Sequence, residues 1–309
     1  MGASSSKGVA FDPKTDIPSL KDKVILVTGG TSGLGKQSIL ELVKHEPKTI
    51  WLGARDTTKA KEAIKEITTE VPSASINVVE MELGSLVSVR ESAQTILKST
   101  DRLDILMLNA GIMNVPPGTT KDGYEVQFGT NHVGHALLTK LLLPLILKTA
   151  DQHGGARITV LSSNAHTMAP KTGIEFDSLK TASIGSMGGW ARYGQSKLAN
   201  ILYAKELAKK YPQLTVTAIH PGIVKTNLAT TMKETSWLGA LMATLFLPLV
   251  TVNVQTGTLN QLWGSVSKNV VSGTYYEPIG LTGKGSPLTE DEALAKRLWE
   301  WTEKELGGV

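Results

Sequence analysis

The stretch Val24-Ile25-Leu26-Val27-Thr28-Gly29-Gly30-Thr31-Ser32-Gly33-Leu34-Gly35 decides how this chain folds. An apolar, β-branched run stops at glycines and passes directly into a helical pattern over residues 36 to 45. Such a run reads as a buried strand, then a tight turn, then a helix N-terminus. The glycines remove Cβ atoms where the backbone must approach another group closely. The helix start offers N–H groups with no intrahelical partner and the positive end of a dipole, so an anion is its natural occupant.

Outward from that turn, strands and helices alternate. Residues 49 to 53 read as a second strand, ending in Ala54-Arg55-Asp56. A helix is expected over 57 to 71, with Ala60, Ala63, Ile64 and Ile67 on one face. A third strand follows over 76 to 80, then a helix capped by Ser85 with Leu86, Val89, Ala93, Ile96 and Leu97 in its buried stripe. A fourth strand over 104 to 108 closes at Asn109-Ala110-Gly111. A long helix is expected over 124 to 149, a fifth strand over 156 to 161, a helix over 191 to 211 and a sixth strand over 215 to 219. A last strand over 273 to 276 and an amphipathic helix over 289 to 306 complete the pattern. Alternation of this kind predicts an α/β chain with a doubly wound, parallel sheet of about seven strands, its ligands at the strands' C-terminal ends. No linker divides the chain, so one domain is expected over residues 20 to 309.

The 309 residues are 41% hydrophobic and 19% charged, the balance of a soluble protein with a substantial core. The net charge of +4 is diffuse, which argues against nucleic acid as a partner. Without cysteine there is no disulfide and no thiolate chemistry. The six histidines include no H-E-x-x-H spacing, so no metal site is expected. Residues 1 to 19 are Ser/Gly/Pro-rich, carry no signal-peptide run and are expected to form a flexible tail. Their Met1-Gly2-Ala3-Ser4-Ser5-Ser6 start fits the short pattern for N-myristoylation, against which an unmodified tail is the simpler reading.

Tyr193-Gly194-Gln195-Ser196-Lys197 sets a phenol and an ammonium on one helix face. A neighbouring cation favours the phenolate, lowering a pKa that is ordinarily about 10. Alone the pair also describes a plain amphipathic helix. In chain order, however, it stands among Thr28-Gly29-(x3)-Gly33-Leu34-Gly35, Asn109-Ala110-Gly111, Asn131, Leu161-Ser162-Ser163 and Pro221-Gly222-(x3)-Thr226. Over residues 20 to 280 this set resembles the classical short-chain dehydrogenase/reductase family and its Rossmann fold. Gly123-Tyr124-Glu125-Val126-Gln127-Phe128 and Thr130-Asn131-His132-Val133-Gly134-His135 are similar to the retinol dehydrogenase-like branch, which includes WW-domain oxidoreductases and fungal natural-product reductases.

The resemblance implies a role for each matching residue. Tyr193 is the general acid or base, and Lys197 lowers its pKa and holds the nicotinamide ribose. Ser163 hydrogen-bonds the substrate oxygen, and Asn131 holds a water linked to Lys197. Ser162 is assigned to backbone satisfaction. Gly29, Thr31, Ser32, Gly33, Leu34, Gly35, Asn109, Ala110 and Gly111 would hold the cofactor. Pro221, Gly222, Val224 and Thr226 would hold its nicotinamide end. Glu82-Leu83 stands where the family usually has Asp-Leu against the adenine. After the second strand, Ala54-Arg55 replaces the carboxylate that would bind a ribose diol, so Arg55 points to NADP(H) over NAD(H), with Asp56 the competing feature or a helix cap.

The insert between Ser163 and Tyr193 brings Met168, Met187 and Trp190 toward the site. The uncharged run from Trp237 to Val254 falls where the family places a substrate lid, here about residues 227 to 255. Trp237 and Met242, with Met232, Leu238 and Phe246, would line an apolar pocket. Monolayer contact is the second reading of that run and a membrane span the third. The expectation is therefore a cytoplasmic, NADPH-dependent ketoreductase or alcohol dehydrogenase of secondary metabolism, acting on a bulky apolar small molecule. Reduction of a polarised C=C bond and a non-catalytic cofactor-binding protein are the alternatives. A homo-oligomer paired through the two long central helices is compatible with the family pattern.

Overall fold

In the first strand Val24 and Leu26 point to one face while Ile25 and Val27 point to the other, and all four are fully buried. A strand buried on both faces must be central and parallel, which is why its sequence is continuously apolar. In the computed structural model, which describes residues 8–182, 187–224 and 252–307, it is β1 (Val24–Thr28). The remaining strands are β2 (Thr49–Ala54), β3 (Ile76–Glu80), β4 (Ile105–Leu108), β5 (Ala156–Leu161), β6 (Leu214–Ile219) and β7 (Thr274–Tyr276). They form one parallel sheet in the order β3-β2-β1-β4-β5-β6-β7. The order reverses between β1 and β4, so the loops leaving these two strands diverge and open a crevice at their C-terminal ends.

Helices cover both faces. α1 (Gly33–Val43), α2 (Thr57–Glu70) and α6 (Val254–Val266) supply residues to the core on one side. On the other lie α3 (Leu86–Ser99), the long α4 (Val126–His153), α5 (Gly189–Lys210) and the C-terminal α7 (Glu292–Gly307). Helix α4 is apolar and long enough to cross a membrane by length and composition, but two-thirds of its apolar window is buried in this core.

Several boundaries differ from the sequence expectation for identifiable reasons. Helix α1 starts at Gly33, inside the glycine turn, three residues earlier than its apolar periodicity shows. Helix α4 starts at residue 126, because Thr119 and Glu125 form an antiparallel bridge and the Glu125 carboxylate caps the Phe128 N–H. It ends at Gly154, whose φ of +77° suits the left-handed cap. Within α4, residues Gly129–Val133 form a π-helical turn, wider than the rest. Residues 8 to 19, expected as flexible tail, are instead docked. The Val9 N–H donates to the Ile279 carbonyl at 2.9 Å, Asp12 caps a single turn over Pro13–Asp16, and Ile17 is buried in the core. Phe11, Ile17 and Leu20 supply the apolar anchors that the overall Ser/Gly/Pro composition of this segment conceals.

Candidate active site

The crevice at the sheet's reversal point is a cavity of about 600 Å³. Gly29, Thr31, Ser32, Gly33, Leu34 and Gly35 form one wall, Arg55 and Glu82-Leu83 the outer end, and Asn109-Ala110-Gly111 the floor. Gly29 has φ +69°, a conformation that costs an L side chain energy. A Cβ on Gly35 would collide with the Gly29 carbonyl. Ser32 occupies the N-cap position of α1 without a side-chain capping bond, which leaves that helix start available to an anion. Asn109 Nδ2 donates to the Thr28 carbonyl at 2.8 Å, while its buried Oδ1 has no protein partner. An anion-accepting turn, a free buried acceptor and an elongated cleft fit an adenine dinucleotide.

At the outer end, Asp56 is a helix cap, accepting from the N–H groups of Thr58 and Lys59, so it does not compete with the exposed Arg55. Glu82, expected beside an adenine, lines the cleft with Leu83, and its carboxylate pairs with Lys121 at 2.7 Å. The extra methylene relative to aspartate gives it that reach.

At the inner end Gly111 adjoins the residues expected to transfer the proton; Asn131, Ser163, Tyr193 and Lys197 lie beyond it and do not line the cleft itself. A Cβ on Gly111 would lie 3.1 Å from Asn131 Oδ1 and 3.5 Å from Lys197 Nζ, so both side chains abut its open face. One helical turn separates Tyr193 from Lys197 on α5, and Nζ lies 5.6 Å from the phenol ring centre. The ammonium donates to the Leu161 carbonyl at 3.0 Å, and burial pushes its pKa down to about 8. Burial pushes the Tyr193 phenol up to about 12, against a Ser163 hydrogen bond that favours the phenolate. Tyr193 is therefore raised rather than lowered as its spacing to Lys197 suggests, because desolvation penalises the phenolate more than the Ser163 hydrogen bond stabilises it.

Asn131 is fully buried in the π-helical turn of α4, a distortion frequent at functional sites. Its side chain accepts from the Ile112 N–H at 2.8 Å and donates to the Ile112 carbonyl and to Ser196 Oγ, both at 2.9 Å. Ser162 donates to the Lys197 carbonyl at 2.8 Å, the structural task expected of it. Ser163 Oγ accepts from the Ala165 N–H at 3.1 Å and faces Tyr193.

Pro221, Gly222 and Val224 follow β6. Gly222 has φ +91° and Val224 bridges Val252, but none of the three lines the cleft itself. Trp190 packs edge-on to Tyr193, with ring centres 6.3 Å apart, whereas Met168 is exposed at the end of a 3-10 turn. Thr226, Trp237, Met242 and most of the expected lid lie outside the described residues. Val254 and Gln255, assigned to the end of that lid, instead open helix α6. The cleft also holds residues that were not assigned to the cofactor: Thr28, Ile112, Thr130 and the loop Thr119-Thr120-Lys121. Thr28 belongs to the glycine motif and was legible there. Lys121 carries no local signal, since only folding brings it opposite Glu82.

Comparison with known proteins agrees with this geometry. Residues 23–237 match the family model for short chain dehydrogenases. The Aspergillus calidoustus short-chain dehydrogenase/reductase drtF is 37% identical over 306 residues, covering 94% of this chain and 95% of that protein. Human retinol dehydrogenase 13 is 38% identical over 299 residues, covering 94% and 86%. A crystal structure of an uncharacterized Mycobacterium paratuberculosis protein superposes with a TM-score of 0.76 at 29% identity, covering 97% of this chain and 98% of that one. With the parallel seven-stranded sheet, these matches place the chain in the short-chain dehydrogenase/reductase family, on its retinol dehydrogenase-like branch, as an oxidoreductase that uses a nicotinamide cofactor.

Proposed function

We propose that the protein is an NADPH-dependent ketoreductase for a bulky apolar ketone, running in reverse as an alcohol dehydrogenase. The observation that carries this reading is the placement of Tyr193, one helical turn from Lys197, whose Nζ lies 5.6 Å from the phenol ring centre and abuts Gly111 at the inner end of the cleft. Burial keeps the phenol protonated at neutral pH, the form a proton donor to a carbonyl needs. The bound cofactor supplies the hydride; the protein supplies the proton and the alignment. Tyr193 gives its phenolic hydrogen to the carbonyl oxygen as negative charge develops there. The Ser163 hydroxyl, already directed at Tyr193, donates to the same oxygen. Lys197, held by the Leu161 carbonyl, places a cation beside the phenolate that remains. Asn131 links Lys197 to water that replaces the proton. Gly29 to Gly35 would cradle the cofactor's pyrophosphate and Asn109 to Gly111 its central part.

Arg55 supports NADP(H) over NAD(H), since it is an exposed cation at the end of β2 with no carboxylate before it and with Asp56 committed to capping. Trp190 against Tyr193 supports an apolar substrate. Similarity to retinol dehydrogenase 13 and to fungal reductases points the same way, toward terpenoid-like or polyketide-like ketones.

Separate titrations with NADPH and NADH test the reading. NADPH should bind at least about tenfold more tightly, and Arg55→Ala should erase that preference while leaving NADH affinity unchanged. A panel of polycyclic and long-chain ketones then identifies the class reduced. Equal affinity for both cofactors would refute the NADPH assignment, and cofactor binding without turnover of any ketone would refute catalysis.

A further inference from the structure

The Asn131 carbonyl is bound by the ring of His135, a buried imidazole that no part of the reading above uses. Its tautomer follows from hydrogen-bond bookkeeping. Thr28 Oγ1 has one proton and two lone pairs. The N–H groups of Asn109 and Ala110 both point at this oxygen, each at 3.0 Å, the Asn109 N–H being shared with the Met107 carbonyl at 3.0 Å. At His135 Nδ1 the Asn131 carbonyl can only accept, so this ring nitrogen must be the donor. The hydroxyl proton must therefore go to His135 Nε2, 2.9 Å away. Nε2 is then an acceptor, so Nδ1 carries the hydrogen and donates it to the Asn131 carbonyl at 3.1 Å. From Asn131 the chain continues through its side-chain amide to Ser196 Oγ at 2.9 Å, and from Ser196 Oγ to the Tyr193 carbonyl at 2.8 Å. Every donor in this path points the same way, from the glycine turn toward the catalytic helix. Burial, with Lys197 nearby, holds the imidazole neutral, its pKa near 3, so the tautomer persists across the working pH range.

We propose that His135 is a positioning residue for proton transfer: its Nδ1–H, set as the donor by the Thr28 hydroxyl at Nε2, holds the Asn131 carbonyl and through it the Asn131–Ser196–Tyr193 segment. This rests on the oxidoreductase reading of the site.

Three variants separate its two hydrogen bonds. His135→Asn keeps a donor where Nδ1 stands and loses the acceptor for Thr28. His135→Gln keeps the acceptor and loses the donor to Asn131. His135→Phe keeps the volume and loses both. With NADPH and phenanthrenequinone as the probe ketone, kcat should fall about tenfold or more in the Gln and Phe variants but stay within about threefold in Asn, at unchanged KM for the quinone and unchanged Kd for NADPH. Equal melting temperatures of the Asn and Gln variants exclude a merely structural cause. Imidazole 15N correlations should show His135 as the neutral Nδ1–H form from about pH 5 to about pH 9. A Gln variant with wild-type kcat, a loss of kcat that tracks melting temperature, or an Nε2–H imidazole would each overturn the proposal. Should the wild-type protein bind NADPH and reduce no ketone, the ketoreductase reading is what fails. The decision on His135 then passes to the titration of 13C-labelled Lys197. A midpoint that shifts by about half a pH unit or more in the Gln variant but not in Asn supports the proposal, and one unmoved in both overturns it.

Discussion

Replacing Lys197 by methionine should abolish ketone reduction and yet stabilise the cofactor-free fold. The ammonium, ordinarily at 10.5, is brought down to about 8 by burial. At about 1.4 kcal/mol per pH unit, that difference costs the folded protein about 3 kcal/mol wherever the lysine is charged in both folded and unfolded states. Methionine fills similar space without charge. The substitution removes one hydrogen bond, worth about 1 kcal/mol. It leaves no orphan, because the Leu161 carbonyl also accepts from Asn200 Nδ2 at 2.9 Å. The net gain at pH 7 is therefore about 2 kcal/mol. The sign of its pH dependence follows from linkage. Below pH 8 both states of the wild type are protonated and the penalty is complete. Between pH 8 and 10.5 the folded lysine releases its proton before the unfolded one does, so wild-type stability rises and the advantage of the variant disappears. Urea unfolding without cofactor, followed by tryptophan fluorescence, measures the difference at each pH. A variant less stable than wild type at pH 7, or an advantage that does not change with pH, would refute this account of the buried cation.

Tyr193→Phe should lower the rate of ketone reduction by a factor of about 100 to 10,000, the range of general acid catalysis, with NADPH affinity within about twofold of wild type by fluorescence titration. Reduction by the wild-type enzyme should be constant below about pH 8 and decline above it as Lys197 loses its proton, with the protonated form active; a pH profile of kcat checks the direction. Glu125→Gln should destabilise the fold by about 3 to 5 kcal/mol in urea titrations, since it breaks a 2.7 Å ion pair with Arg192 that is 1% and 2% exposed. Replacing both partners by leucine and methionine should recover most of that loss, because it is the unpaired buried charge that is costly.

Much of the site was legible because its chemistry is local in sequence. The T-G-x-x-x-G-x-G turn sits where a continuous apolar strand meets a helix, and that junction alone dictates a backbone cradle. Tyr193 and Lys197 share a helix face by spacing, and the strand-end positions of Asn109 and Ser163 follow from the βα alternation. Arg55 could be read from the residue that ends the second strand. What failed to show were contacts between segments far apart in the chain. Glu82 and Lys121 meet across the cleft with no local pattern linking them. The docked N-terminal strap depends on a bond from Val9 to Ile279, at the far end of the chain.

The sequence by itself determined the order of elements and the anion-accepting turn, because these rest on periodicity and on spacing within a few residues, while the roles expected of Tyr193, Lys197, Ser163 and Asn131 came from the resemblance of the whole ordered motif set. The tertiary structure alone decided the electrostatics. Burial makes Tyr193 a weaker acid and Lys197 a weaker base than their spacing suggests, since desolvation depends on everything packed around a group. It alone also joined Thr28 to His135, residues 107 apart, and thereby set the tautomer of an imidazole that sequence shows only as a histidine on a helix.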